Sequence, residues 1–237
     1  MRISELFGIR FPVVQAPMAG AQGSALALAV SHTGGLGSVP AAMLDREALA
    51  RELEAMQRGT TRPWNVNFFC HVNPSPDPAA DTAWRELLDP YYREFGIDGA
   101  LPPATAREPF HAGLLALLER FRPPVVSFHF GLPEETLLAP LRAWGTRIVS
   151  SATTVAEARW LEARGVDAII AQGLEAGGHR GHFLDDDLTR QMGTFTLTPL
   201  VVAAVGVPVI AARGIADAAG VRAALPPAAA GGPGRTP

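Results

Sequence analysis

The strongest constraint on the fold of this chain is a rhythm. Short apolar runs recur along the sequence with a helix-forming stretch between each and the next. The runs are residues 11–18 (FPVVQAPM), 36–39, 64–70 (WNVNFFC), 125–130 (VVSFHF), 147–151, 166–170 and 208–212 (PVIAA). Leu49, Leu53 and Met56 recur at i, i+4, i+7 behind Asp45, a good N-cap, and so predict a helix over 45–57. Residues 24–32 read as a helix of small apolar residues closed by Gly34-Gly35, and 110–121 as another. Pro133-Glu134-Glu135 opens the next, with acids where a helix N-terminus favours them. Thr154 and Glu157 have capping-box spacing ahead of inward-facing Val155, Ala158 and Leu161, 198–205 reads as a short helix, and Asp217 caps a last helix to Leu225. Strands that alternate with helices in this way pair in parallel beneath them. The seven runs predict an α/β chain, a (β/α)8 TIM-type barrel lacking its eighth β/α unit.

The chain is large enough for that. It has 237 residues, 48% of them hydrophobic, slightly short of the roughly 250 of a typical barrel. The net charge of -3 and the absence of any Lys/Arg run point away from nucleic acid and anionic membranes, towards a small-molecule substrate. No apolar run approaches the ~20 residues of a membrane span and the N-terminus has no signal-peptide pattern, so a cytoplasmic protein is expected. Cys70 is the sole cysteine, which excludes an internal disulfide and a CxxC metal site. His71 beside it would point to the opposite face of a strand, against a Cys–His nucleophile.

One segment breaks the rhythm. Residues 73–109 are rich in proline and acidic residues and carry Tyr91-Tyr92. Such an insertion is either a lid over an active site or a surface excursion. The expected organisation is therefore a barrel domain over 1–225, this insertion within it, and an irregular Pro/Gly/Ala-rich tail over 226–237.

The chemistry concentrates in residues 171–183, AQGLEAGGHRGHF, directly after the apolar run 166–170. In parallel α/β folds the C-terminal ends of strands are where ligands bind. Gln172 can donate and accept, Gly177 and Gly178 let backbone N–H groups approach a ligand, and His179 is the side chain most suited to act as a base near neutral pH. The stretch reads as a cofactor cradle with a base at its rim. At the end of the first run, Ala16, Pro17 and Met18 turn the backbone outward, since Pro17 cannot extend a ladder. Asn65 and Asn67 share a face of the third run, where Asn67 either meets a ligand or ties a loop. His129 falls near its strand's end and either faces the site or is a hydrogen-bonded core histidine; Phe128 and Phe130 are expected on the opposite face. His179 and His182 resemble half of a metal site, but no second pair of ligands is evident, and no metal is expected.

The QAPM turn, the VNFF run, SSATTVAEA and above all QGLEAGGHRGHF resemble the nitronate monooxygenase family, formerly called 2-nitropropane dioxygenases, with flavin-dependent enoyl reductases as relatives. The likeness extends to about Leu225. It implies a barrel that holds FMN and oxidises alkyl nitronates with molecular oxygen to a carbonyl compound and nitrite. By matching motif, it implies His179 as the base for neutral nitroalkanes. It further implies Asn67, Gln172, Gly177, Gly178 and Gly214 as FMN-binding, with the backbone of Ala16, Pro17 and Met18 beneath the ring. Two alternatives stand beside this reading: a flavin-dependent NAD(P)H reductase acting on a quinone or enoyl thioester, and a remnant that no longer retains FMN.

The chain departs from the family pattern after its seventh run. Arg213-Gly214-Ile215 stands where the family usually reads Gly-Gly-Ile, and AALPPAAAGGPGRTP stands where an eighth strand and phosphate-binding turn would follow. Pro226, Pro227 and Pro233 each lack a ladder donor, so a truncation or frame change is expected there, with weakened FMN binding and self-association through open sheet edges.

Overall fold

Six parallel strands form one sheet in the order of the sequence: β1 (Gly37–Pro40), β2 (Trp64–Phe69), β3 (Val125–His129), β4 (Arg147–Ala152), β5 (Ala168–Gln172) and β6 (Val209–Ala212). The computed structural model describes residues 1–97 and 107–225. The 226–237 tail with its three prolines Pro226, Pro227 and Pro233, together with Pro237, and residues 98–106 of the insertion lie outside the described residues. Register places Ser38 beside Asn65, Asn67 beside Ser127, Phe69 beside His129, and Gln172 beside Ala212. Each neighbouring pair of strands is connected through at least one helix, as parallel pairing requires.

The expected first strand is reduced to a single parallel bridge between Val14 and Leu36, made by Gln15 N–H to the Leu36 carbonyl and Leu36 N–H to the Val13 carbonyl, each 2.9 Å. Pro12 and Pro17 bracket the bridge and have no N–H to continue it. The ladder thus has six strands rather than seven, and among the described residues β6 has no further neighbour.

The helices are α1 (Ile3–Phe7), α2 (Ser24–Thr33), α3 (Arg46–Gly59), α4 (Pro78–Glu94), α5 (Ala112–Leu118), α6 (Glu135–Ala143), α7 (Val155–Ala163), α8 (Thr194–Ala204) and α9 (Ala218–Ala224). The α3 prediction holds in detail: the Asp45 carboxylate accepts from Ala48 N–H at 2.7 Å, and Leu49, Leu53 and Met56 are fully buried. Helix α8 begins four residues earlier than expected, because Thr194 N–H bonds the Glu175 carboxylate and starts the first turn there.

Alternation along the strands separates two cores. Trp64, Val66, Phe68, Val126, Phe128, Ile148 and Ile169 face the helices and pack with the buried residues of α3, α5, α6, α7 and α8. The opposite face meets a second cluster, in which Leu6 and Phe7 of α1, together with Ile9, pack on Leu36, Val125, Val149 and Ala168. Helix α1 has five residues, too few to show a period, and Gly8 closes it in a left-handed conformation. It plugs the N-terminal end of the inner face, each buried side chain contributing roughly 1.5–3 kcal/mol.

The chain divides into two compact units, Met1–His71 with Pro109–Pro237, and Val72–Glu108. The second contains α4, whose first turn is capped by the Asp77 carboxylate accepting from Ala79 and Ala80 N–H. No side chain of α4 is buried, and Trp84, Leu87, Tyr91 and, beyond it, Phe95 are exposed. Among the described residues no helix is long and apolar enough to cross a membrane.

Candidate active site

Above the apolar plug the inner face turns polar. Ser38, Asn65, Asn67, Ser127, Ser151 and Gln172 are all buried there, one or two from each strand of β1 to β5, because alternate residues point inward. Four of them, Ser38, Asn65, Asn67 and Ser127, are joined into a network. Gln15 exchanges hydrogen bonds with the Ser38 backbone, both 3.2 Å. Asn65 Nδ2 donates to Ser38 Oγ at 3.1 Å and Ser127 Oγ at 2.9 Å, and Asn67 Nδ2 donates to Ser127 Oγ at 2.9 Å and its carbonyl at 3.2 Å. Asn65 Oδ1 is buried without a hydrogen-bond partner among the described residues. The Asn67 amide nitrogen is committed to β3, so within the protein it acts as a strand tie.

The loop after β5 is held by Gln172, only 3% exposed. Its Nε2 donates to the His179 carbonyl at 3.0 Å and its Oε1 accepts from Gly181 N–H at 2.7 Å, pulling the loop back over its own strand. Gly181 admits no side chain: a Cβ there would lie 2.4 Å from His129 Cε1 and 2.8 Å from Ser151 Oγ. Gly177 and Gly178 are the opposite case. A Cβ on either would meet nothing within 4 Å, so protein packing does not explain glycine at these exposed positions.

His179 is thereby set on an aromatic floor. Its ring lies 5.2 Å from Phe69 and 6.0 Å from Phe130, both edge-on. His129 joins the same group, 5.5 Å from Phe69 and 4.5 Å from Phe130. Phe130 does not point the other way, as strand alternation suggested. It lies one residue beyond β3 with φ +66°, and this left-handed turn swings its ring back over the strand end. His129 Nδ1 is 2.6 Å from Ser151 Oγ. Burial is the main cause that lowers its pKa to about 4; a hydrogen bond at the His179 backbone opposes this, and the charges of Arg213, His179 and His182 add to the lowering. At neutral pH His129 is therefore a neutral imidazole. Burial likewise pushes the Cys70 thiol well above its ordinary range, which removes it as a nucleophile.

Two carboxylates that the sequence did not single out as site residues shape the loop. Glu157, 1% exposed, departs from its capping-box role. Its Oε2 accepts from Thr153 N–H at 2.7 Å and Oγ1 at 2.9 Å, and its Oε1 from Phe183 N–H at 2.7 Å and Leu184 N–H at 3.3 Å. It fastens the chain just beyond His179. Glu175 accepts from Thr194 N–H and Oγ1, all at 3.0 Å. Burial pushes its carboxyl up, but hydrogen bonds from its own backbone and from Thr194 outweigh this and hold it below the usual range. A charged residue on a helix face that is otherwise apolar was the available signal for Glu157.

The remaining predicted positions lie at the rim. Ala16 and Met18 are exposed and Pro17 half-buried, with the Ala16 carbonyl held by Gln22 Nε2 at 2.7 Å. Gly214, at φ +67°, follows β6 and is exposed. His182 Nε2 lies 3.6 Å from the Asp186 carboxylate.

A family model described as nitronate monooxygenase matches residues 1–232. The chain is 42% identical over 225 residues to a nitronate monooxygenase of Paraburkholderia phytofirmans, covering 93% of this chain and 61% of that protein. It is 43% identical over 232 residues to one of Pseudomonas aeruginosa, covering 94% and 64%. Among solved structures, a nitroalkane oxidase from Streptomyces ansochromogenes superposes with TM-score 0.81 at 37% identity, over 94% of this chain and 65% of that one. FabK from Thermotoga maritima gives 0.67 at 28% identity. The chain thus spans less than two thirds of the length of each of these relatives.

Proposed function

Because the chain belongs to the nitronate monooxygenase family, we propose that it carries the FMN site and the base of an enzyme that oxidises alkyl nitronates with molecular oxygen to a carbonyl compound and nitrite. The six-stranded sheet, with residues 11–18 alongside it, is the greater part of a (β/α)8 barrel in this reading. The observation that carries it is the placement of His179. An imidazole stands at the C-terminal ends of the strands, on a floor of Phe69 and Phe130, beside two glycines whose open faces serve no packing need.

The residues present suit a flavin. Phe69, Phe130 and the outward-turned backbone of Ala16, Pro17 and Met18 would hold its flat ring. The backbone N–H groups of Gly177, Gly178 and Gly214 can reach its polar groups without side chains intervening. When bound, the flavin supplies the electron transfer to oxygen that amino-acid side chains cannot. The protein does the rest. His179 removes the proton from the carbon that bears the nitro group of a neutral nitroalkane, and a nitronate needs no such step because that proton is already gone. Gln172 and Glu157 hold the loop so that the imidazole stays over its floor of Phe69 and Phe130.

The visible absorption spectrum tests the reading. The full chain is mixed with FMN and separated from free flavin by gel filtration. Bands near ~370 and ~450 nm that travel with the protein are expected of a held flavin, followed by oxygen uptake and nitrite release with an alkyl nitronate. A colourless protein would overturn the flavin reading. A coloured one that oxidises NAD(P)H with a quinone, and leaves nitronates untouched, would replace the activity while keeping the cofactor.

A further inference from the structure

Arg213 follows the last residue of β6 and is strained where it stands. Its φ of +89° lies in the left-handed region that favours glycine, and glycine is the residue the family pattern carries there. A non-glycine residue held in such a conformation marks a position where the side chain serves a purpose. Arg213 is half-buried, and its guanidinium has neither a hydrogen bond nor an ion pair among the described residues. The Glu175 side chain packs against Gly214 but turns its oxygens to Thr194. The charge of Arg213 is felt by His129 across the site. The strand pairing between Gln172 and Ala212, together with Gly173 N–H to the Ala212 carbonyl at 3.2 Å, brings Arg213 alongside the start of the loop that carries Gly177 and Gly178.

A half-buried cation with no counter-ion among the described residues, just past the C-terminal end of β6, is arranged to receive an anion. In parallel barrels the loops of this region receive phosphate groups. We infer that the Arg213 guanidinium holds the phosphate of the flavin nucleotide, doing with a side chain what a glycine at this position can do only through its backbone. The inference rests on the flavin reading above and goes beyond it by assigning the phosphate to one residue.

The test compares FMN with riboflavin, which differs only in lacking the phosphate. Dissociation constants for both are measured by flavin fluorescence on the full chain, on Arg213→Gly and on Arg213→Lys. Arg213→Gly is expected to lose roughly ten- to a hundredfold in FMN affinity, the worth of a charge-assisted hydrogen-bonded pair, with riboflavin affinity unchanged. Arg213→Lys should fall between, keeping the charge without the two-pronged geometry. The thermal midpoint of Arg213→Gly should be equal or higher, because glycine relieves the positive φ, so weaker FMN binding cannot be charged to unfolding. An unchanged FMN-to-riboflavin ratio in Arg213→Gly would overturn the inference while leaving the flavin reading intact. So would an unchanged ratio accompanied by a raised KM for a nitronate, which would assign the cation to the substrate. A wild-type chain that takes up neither flavin would overturn both.

Discussion

At the scale of single residues, the site contains two histidines with different environments and therefore different work. His179 is exposed at the rim, whereas His129 is buried against Ser151 with a pKa of about 4. In the function proposed above, only the exposed His179 meets the substrate and takes its proton. His179→Ala should lower oxidation of a neutral nitroalkane by about 10²–10⁴-fold while leaving oxidation of a preformed nitronate nearly intact; parallel assays with the two forms of one substrate check this. Equal losses on both would remove His179 as the base. His129 instead governs stability. Its folded pKa lies below the ordinary value of 6.5, so the unfolded chain binds a proton first as the pH falls. The stabilisation is complete above pH 6.5 and is lost progressively down to about pH 4. Urea denaturation across that interval should show falling stability, and His129→Asn should flatten the fall.

At the scale of elements, the loop after β5 is fixed at two places by polar side chains from the interior. Gln172 ties its middle and Glu157 of α7 ties the residues beyond it. The sequence revealed the capping residue Thr154, whose Oγ1 does accept from Glu157 N–H at 3.2 Å, but the carboxylate went elsewhere. Four donors converge on a buried Glu157, two from Thr153 and two from the His179 loop, and only the packing of α7 under that loop brings them together. Glu157→Gln keeps the shape but replaces one accepting oxygen with an amide donor facing other donors. A loss of about 1–3 kcal/mol is expected, as for a buried hydrogen-bonding group left unsatisfied. Hydrogen exchange should quicken at the Phe183 and Leu184 amides; unaltered exchange there would show that the carboxylate does not hold the loop.

At the scale of the molecule, the two compact units differ in what stabilises them. The sheet unit has a helix-facing core and an α1-capped inner core, whereas α4 in the other unit buries no side chain. Local opening is least costly where few apolar contacts are lost. Limited proteolysis should therefore cut within Val72–Glu108 before it cuts β1 to β6, with fragment masses locating the site. First cleavage inside the sheet unit would contradict this ranking.

Much of the architecture was legible because it rests on local periodicity. The α/β alternation, the α3 face with its Asp45 cap, and the Gly-Gly-His loop at the end of an apolar run need only neighbouring residues to be recognised. What the sequence could not settle depends on contacts between distant segments. Pro12 and Pro17 reduce the expected first strand to the Val14–Leu36 bridge because the neighbouring ladder finds no donors there. The five residues of α1 become a core element only when the inner face of the sheet is there to receive them. Phe130 joins the floor because the chain turns left-handed after His129. Patterns of period two and 3.6 determined which faces are apolar; tertiary packing decided which polar groups meet between them, because hydrogen bonds and burial depend on distance in space and leave no period in the chain.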